Sequence, residues 1–319
     1  MNLTVWIKDM GLALARWFDS YAGGQEDLHE AELAVDWVRC IPFLTMHLIC
    51  LSVIWVGWSW VAVGTAIALY LVRMLAITGF YHRYFSHRTF KTSRAVQFVF
   101  AVIGNSSVQR SPLWWAAHHR YHHSHADNED DIHSPRRHGF FWSHVGWFTS
   151  KPNFKTRKEL IPDLMKFPEL VFLDRFDTVV PILLAVTLYL SGIFMEKAHP
   201  SWGTSGTQML IWGFFISTVF LFHGTFTINS LAHQIGRRRY PTRDDSKNSL
   251  FLSLVTLGEG WHNNHHFYPG SASQAHYWWE IDITYCFLLL LNRMKLIWDL
   301  NPVPEEVLKA AVPHPAPAV

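Results

Sequence analysis

Three histidine-rich runs define the chemistry open to this chain: His82-Arg83-Tyr84-Phe85-Ser86-His87, His119-Arg120-Tyr121-His122-His123 and His262-Asn263-Asn264-His265-His266. On an α-helix, positions i, i+3 and i+4 share a face, so each HxxHH run is expected to aim three imidazoles at a common point. The first run differs. At 100° per residue His82 and His87 stand about 140° apart on an ideal helix, so they should bind different ions or the helix should end between them. A single histidine in an apolar protein is usually a hydrogen-bonded core residue. Packing gives no reason to repeat the pattern, and an unpaired buried imidazole is costly, so eight histidines in three clusters read as metal ligands.

Zinc sites are mostly four-coordinate and one zinc would leave half of this set unused, so two ions fit better. Imidazole suits zinc, copper, iron and nickel alike, and ligand type leaves the metal open. The ligands offered by these runs are nitrogen, unlike the carboxylate-rich sets of soluble di-iron bundles. Carboxylates lie close in sequence all the same: Asp127, Asp130, Asp131 and Glu259 are natural acceptors for the second ring N–H of a ligating histidine. Asn229 and His233, four apart at the end of the last long apolar segment, share a helix face. A polar pair at a membrane edge is a candidate site, although a capped helix end would place them there too.

The elements that must position these groups follow from composition. Of 319 residues, 50% are hydrophobic and only 16% charged, against roughly 25% charged in an ordinary globular protein. This composition suits lipid. Lys+Arg 27 against Asp+Glu 25 leaves no global charge that would suggest nucleic acid. Cys40, Cys50 and Cys286 are odd in number and lack CxxC spacing, which argues against a disulfide frame, a zinc ribbon or an iron–sulfur cluster.

Residues 1–36 read as an interfacial amphipathic helix rather than a signal peptide. From Ile41 to Val72 no charged residue occurs, and the apolar character runs on to Phe80. That is too long for one crossing of a ~30 Å core and fits a hairpin of two helices with a tight turn near Gly57 to Trp60. Membrane-spanning helices are expected at about 41–58, 60–80, 178–195 and 209–228. Val96–Val108, interrupted by Gln97 and Asn105, is too short to span and reads as re-entrant or interfacial. Residues 1–300 read as one domain, and 301–319, rich in Pro and Ala, as a disordered tail. With four crossings, the segments after the second and the fourth lie on one side, so the three runs can meet. Those segments hold most of the Lys and Arg, which places the runs and both termini in the cytoplasm. The expected fold is an all-α, multi-pass integral membrane protein: four transmembrane helices and a cytoplasmic helical cap over the histidines.

HRYFSH, HRYHH and HNNHH in this order, between paired apolar segments, resemble the histidine boxes of the membrane-bound fatty acid desaturases, most closely the stearoyl-CoA (acyl-CoA Δ9) branch. The likeness extends to GFYHRYFSHRTFK, to Trp115 four residues before His119, to SHAD at Ser124–Asp127, to SPRRHGFFWSHVGW at Ser134–Trp147, to NSLAH and to GEGWHNNHH, and covers roughly residues 37–300. It implies a di-iron centre with nine histidines, by position His82, His87, His119, His122, His123, His233, His262, His265 and His266, and matches Asn229 to an asparagine that approaches one iron through water. His118, His125, His133, His138, His144 and His223 lie off the matching positions. The basic tract that follows HVGW in animal relatives is replaced here by Phe148-Thr149-Ser150-Lys151-Pro152.

The resemblance implies O2-dependent removal of two hydrogens from adjacent methylenes of a saturated acyl chain, carried as acyl-CoA or another thioester, with a cis double bond at the ninth carbon as product. Trp115 and Trp261, each beside a box, are the candidate tunnel residues, and Arg136, Arg137 and Lys151 the candidate phosphate contacts; positive-inside charge alone would also account for these cations. No GxGxxG loop, CxxCH haem site, cluster-binding cysteine set or HPGG segment occurs, so an external electron donor is expected: a ferredoxin, a rubredoxin, or cytochrome b5 with its reductase. Related histidine-box proteins hydroxylate their substrates or form triple bonds, an alternative that the boxes alone leave open. A membrane metal transporter is a second one, but transport sites sit near the midplane on broken helices, whereas these histidines fall outside the spanning segments.

Overall fold

Four long apolar helices account for the hydropathy pattern in the computed structural model, which describes residues 10–24 and 34–311. They run Trp37–Val56, Trp60–Ser86, Val179–Ala198 and Gly206–Ser230, each long and apolar enough to cross a membrane. The expected segments are all present, and the largest change is at the end of the second, which continues past residue 80 to Ser86. The turn of the first hairpin also falls where expected. Helix α1 (Trp37–Cys50) is followed by one further turn, Val53–Val56, and the chain reverses at Gly57, whose φ of 66° favours a residue without Cβ. Helix α2 (Trp60–Leu75) then begins.

Contacts divide the described chain into two compact units. One comprises Met1–Arg73, Ala101–Trp114 and Phe148–His223, the other Met74–Phe100, Trp115–Trp147 and Gly224–Val319. Most of the changeovers fall inside helices: in α2, in α3 (Arg94–Asn105), in α4 (Pro112–His125) and in the helix Ser217–Ser230. No loop composition marks such a boundary, which is why the sequence shows none.

In the first unit, helix α5 (Val179–Ala198) packs against residues 206–216. Arg73, a charge inside the second span, is fully buried, and its guanidinium donates to the Leu69 and Ser106 carbonyls and to the hydroxyls of Ser217 and Thr218. A buried cation is tolerated when its donors are satisfied in this way. Asn105 is likewise tied, donating to the Arg110 and Asp177 carbonyls at 3.1 Å each. These bonds explain the polar interruptions in otherwise apolar stretches. Helix α3, as expected, is too short to span.

The second unit contains a π-helix (Ala76–Ser86), the part of α4 from Trp115, and three further helices, α6 (Leu250–Val255), α7 (His262–Phe267) and α8 (Ile283–Arg293). A two-residue antiparallel ribbon pairs β1 (Lys91–Thr92) with β2 (Ile297–Trp298), in the register Lys91 to Trp298. This tether holds the C-terminal segment, and Asn301 N–H donates to the Thr89 carbonyl at 2.8 Å. Residues 301–311, read as tail, are therefore placed, with a short helix at Glu305–Lys309; 312–319 lie outside the described residues. Of the expected N-terminal helix, residues 10–15 are helical, while 1–9 and 25–33 are outside the described residues.

Candidate metal centre

The first histidine run lies at the end of the π-helix, not on an α-helix. His87 N–H donates to the His82 carbonyl, five residues back, at 3.2 Å. A wider turn of this kind needs one more residue per closure than an α-turn, and it brings His82 and His87 into one cluster. Of the two alternatives expected for this pair, the second holds: the helix ends between them, at Ser86. The second run is on α4, opened by Pro112 and by the Ser111 hydroxyl, which accepts the Trp114 N–H at 2.9 Å. The third opens the six-residue α7, whose first N–H groups, from Asn263 and Asn264, both donate to the Asn248 side-chain oxygen at 3.0 and 3.1 Å. The two asparagines inside the HNNHH run lock the helix in place: Asn263 accepts the Arg239 and Tyr240 N–H groups at 2.7 Å each, and Asn264 donates to Glu280 at 3.0 Å.

Two imidazole clusters result, both in the second unit. His82, His87, His119, His123 and His265 form one, and His122, His233, His262 and His266 the other, with ligand atoms in each within 4.8 Å of one another. Neither HxxHH run aims at a single point, as the face rule suggested. In α4 the i and i+4 residues, His119 and His123, go to the first cluster and the i+3 residue His122 to the second; in α7 His265 goes to the first and His262 with His266 to the second. The reason is angular: i+4 leads residue i by about 40° and i+3 trails it by about 60°, so the two flank it.

Whether the donor set suits a cation can be read from tautomers. The His233 Nδ1–H donates to Asp127 at 2.7 Å, that of His266 to Asp244 at 2.9 Å, and that of His122 to Asp131 at 3.3 Å; His82 Nδ1 is paired with Glu259. With the proton on Nδ1, Nε2 of a neutral ring presents only a lone pair. Their Nε2 atoms point at further imidazoles. His82 Nε2 faces His265 Nε2 at 3.0 Å, which also faces His123 Nε2 at 2.9 Å, and His233 Nε2 faces His262 Nε2 at 3.1 Å. One Nε2–H can bridge such a pair, but His266 Nε2, whose ring proton is held on Nδ1 by Asp244, is a buried lone pair with no hydrogen-bond partner among the described residues. An orphaned buried acceptor among grouped imidazoles is what a cation would satisfy, so the residues present fit metal ions. Burial, reinforced by neighbouring imidazoles, holds His119, His123, His262 and His265 well below the usual 6.5, in the neutral form that ligates.

The carboxylates complete the arrangement. Burial pushes Asp127, Asp131 and Asp244 up, but their imidazole partners outweigh it and hold each well below the carboxylate range. Glu259 behaves the same way, held down by His82 and by Arg83. Arg83 is buried and forks between Glu259 at 3.0 Å and both oxygens of Asp282 at 2.9 and 3.0 Å. The Gly258 turn at φ 137° permits this approach, because a Cβ there would collide with the Asp282 carboxylate. Of the acceptors expected from sequence, Asp130 is exposed, and its backbone N–H donates to the Asn128 side-chain oxygen. Asp244 takes the role instead. Nothing near it in sequence signals this, since the contact with His266 is across the fold. His133, off the boxes, lies against His122 with ring centroids 4.2 Å apart and the planes tilted by 34°.

A cavity opens onto both clusters. Its polar wall includes His82, His119, His122, His133, His233, His262 and Asn229, and its apolar wall Met74, Ile77, Trp115 and Ile228. Asn229 and His233 thus reach the same space, although the helix ends at Ser230 between them. Trp115 stacks on His119, centroids 5.0 Å apart. Trp261 does not line this cavity; its indole N–H donates to the Ile281 carbonyl at 2.8 Å. Arg136 and Arg137 are exposed and away from the lining, with Arg136 3.5 Å from Asp245, and the exposed Lys151 belongs to the first unit.

A sequence model described as fatty acid desaturase matches residues 58–282. Among curated proteins, the chain is 35% identical over 82% of its length to an sn-2 palmitoyl-lipid 9-desaturase of Nostoc sp., covering 88% of that protein. It is 33% identical over 84% of its length to an sn-1 stearoyl-lipid 9-desaturase of Anabaena variabilis, covering 94% of it. It is 37% identical over 83% of its length to an acyl-CoA 5-desaturase of Anemone leveillei, covering 78% of it.

Proposed function

Because the chain belongs to the fatty acid desaturase family, we propose that its two imidazole clusters hold two iron ions and that it places a cis double bond at the ninth carbon of a saturated long-chain acyl thioester. The observation that carries this reading is the gathering of nine imidazoles into two clusters beside a cavity with an apolar wall. Five imidazoles in the first cluster and four in the second give the nine ligands, and Asn229 faces the same cavity. Bound there, iron supplies the oxidising power, drawn from O2 with two external electrons and two protons, that removes two hydrogens from adjacent methylenes and leaves water.

The chain's own residues hold and orient. Asp127, Asp131, Asp244 and Glu259 fix four imidazoles with Nε2 turned inward, which raises their basicity as ligands. Met74, Ile77 and Ile228 offer an acyl chain a surface where water gains little. Trp115, stacked on His119, forms a rigid wall that sets how closely a methylene approaches. The distance from headgroup to metal then sets the position of the bond. The clusters and both termini face the cytoplasm, supported by the excess of Lys and Arg in the segments after the second and fourth spans. An external electron donor docks on that side.

A second reading of the carrier is favoured by the relatives named for lipid-linked palmitoyl and stearoyl chains: an acyl chain esterified to a glycerolipid. The deciding experiment supplies stearoyl-CoA, palmitoyl-CoA and the corresponding saturated glycerolipids, with a reducing ferredoxin system, to the protein in nanodiscs and locates the new bond by mass spectrometry. Product on coenzyme A supports the thioester reading. Product only on intact lipid overturns the carrier, and a hydroxylated product overturns desaturation.

A further inference from the structure

The metal-bearing unit has an apolar surface that its own core does not cover. Helix α8 buries Thr284, Leu288 and Leu291, yet the stripe on its other side, Ile283, Cys286 and Leu290, is exposed. Spacing of i, i+3 and i+7 makes this one continuous face. A helix docked on a water-facing body would be polar there. The Ser253 hydroxyl donates to the Ile281 carbonyl at 2.8 Å and sets α6 alongside, with Leu250, Phe251 and Leu254 exposed opposite the buried Leu252 and Ser253. Shortly before α8 in the chain stand Trp278 and Trp279, 92% and 53% exposed.

We propose that this face is a membrane-docking surface, seated in the interfacial region of a lipid bilayer and separate from the four spanning helices. Its chemistry matches that zone: aliphatic residues for the acyl boundary and a tryptophan pair for the headgroup level. The carboxylates of the segment are turned away from it, Glu280 to Arg239 and Asp282 to Arg83. At the end of α8 the exposed cations Arg293 and Lys295 stand where anionic headgroups attract them. A second copy of this chain would set the same cations against each other, so charge favours lipid. The placement does not depend on which acyl group the enzyme modifies.

The test uses the full chain in nanodiscs of phosphatidylcholine and phosphatidylglycerol, one chain per disc. With Cys40→Ala and Cys50→Ala, a nitroxide is placed on the native Cys286, and in a Cys286→Ser version on Trp278→Cys; Glu129→Cys, exposed on the same unit, is the aqueous reference. Collision with O2 relative to a water-soluble nickel chelate should be several-fold higher at 286 and 278 than at 129. Equal ratios would overturn the proposal, whether the face meets water or awaits a protein absent from the disc. In the unsubstituted chain, a charged maleimide should spare Cys286 in the disc and modify it in SDS, read by peptide mass spectrometry; rapid modification in the disc would refute lipid contact.

Discussion

Replacing Asp127 with Asn should weaken one metal ion and leave the other in place. Asp127 Oδ2 accepts the His233 Nδ1–H at 2.7 Å and the Asp245 N–H at 2.8 Å, and its other oxygen accepts the Ser134 hydroxyl. An Asn oxygen can take both N–H donors and its amide can face Ser134, since a hydroxyl accepts as readily as it donates. The left-handed backbone at this position, φ 56°, also suits Asn. The substitution therefore removes a charge and little else. Loss of a carboxylate behind a ligating imidazole typically costs about 10–100-fold in metal affinity, equivalent to ~1.4–2.7 kcal/mol. His233 belongs only to the second cluster, while the first has its own acceptor in Glu259. Chelator titration with elemental analysis should then resolve two equivalents, one at the wild-type midpoint and one lowered by that factor. Parallel loss of both, or no change in either, would refute the tautomer argument.

Further outcomes follow from the same geometry. The purified protein should contain two iron atoms per chain, and His265→Ala, which removes an imidazole facing both His82 and His123, should lower metal content and activity together; one zinc, no iron and full activity would contradict the assignment. Turnover should be absent with NADPH and O2 alone and appear when a ferredoxin and its reductase are added, as measured by product formation. In the metal-free protein, burial holds His262 and His265 well below 6.5 and His266 at about 4, so below pH 6.5 the unfolded chain binds protons that the folded one does not. Stability should fall as pH drops through that window, by at most about 1.4 kcal/mol per unit per group, and a flat unfolding profile from about pH 7 to 5 would count against neutral buried imidazoles.

The spanning helices and the ligand candidates were legible because both rest on local signals: long uncharged stretches and repeated His spacing. What the spacing could not reveal is how ligands divide between clusters, since that depends on where α4 and α7 sit about a shared centre. The helix end between His82 and His87 follows from their five-residue spacing, but the π-helix itself does not, because hydrophobic periodicity does not distinguish it from an α-helix over eleven residues. Asp244 was invisible for a different reason: its contact with His266 spans 22 residues of sequence. Asp130, by contrast, sits among the right residue types and yet points to water. Trp261 adjoins a box but serves to anchor the chain to Ile281, and adjacency to a motif is weak evidence of contact with substrate.

The π-helix also bears on how this chain tolerates insertion and deletion. Deleting one residue between His82 and His87 would leave an HxxxH pair that an ordinary α-helix still presents on one side, so the first cluster could keep both ligands. Everything upstream would nevertheless turn by about 100° about the helix axis, carrying Met74, Ile77 and Thr78 off the cavity wall that they share. The surplus residue acts as a phase setting between apolar wall and imidazoles, and a change in its position would turn one against the other without altering a single histidine.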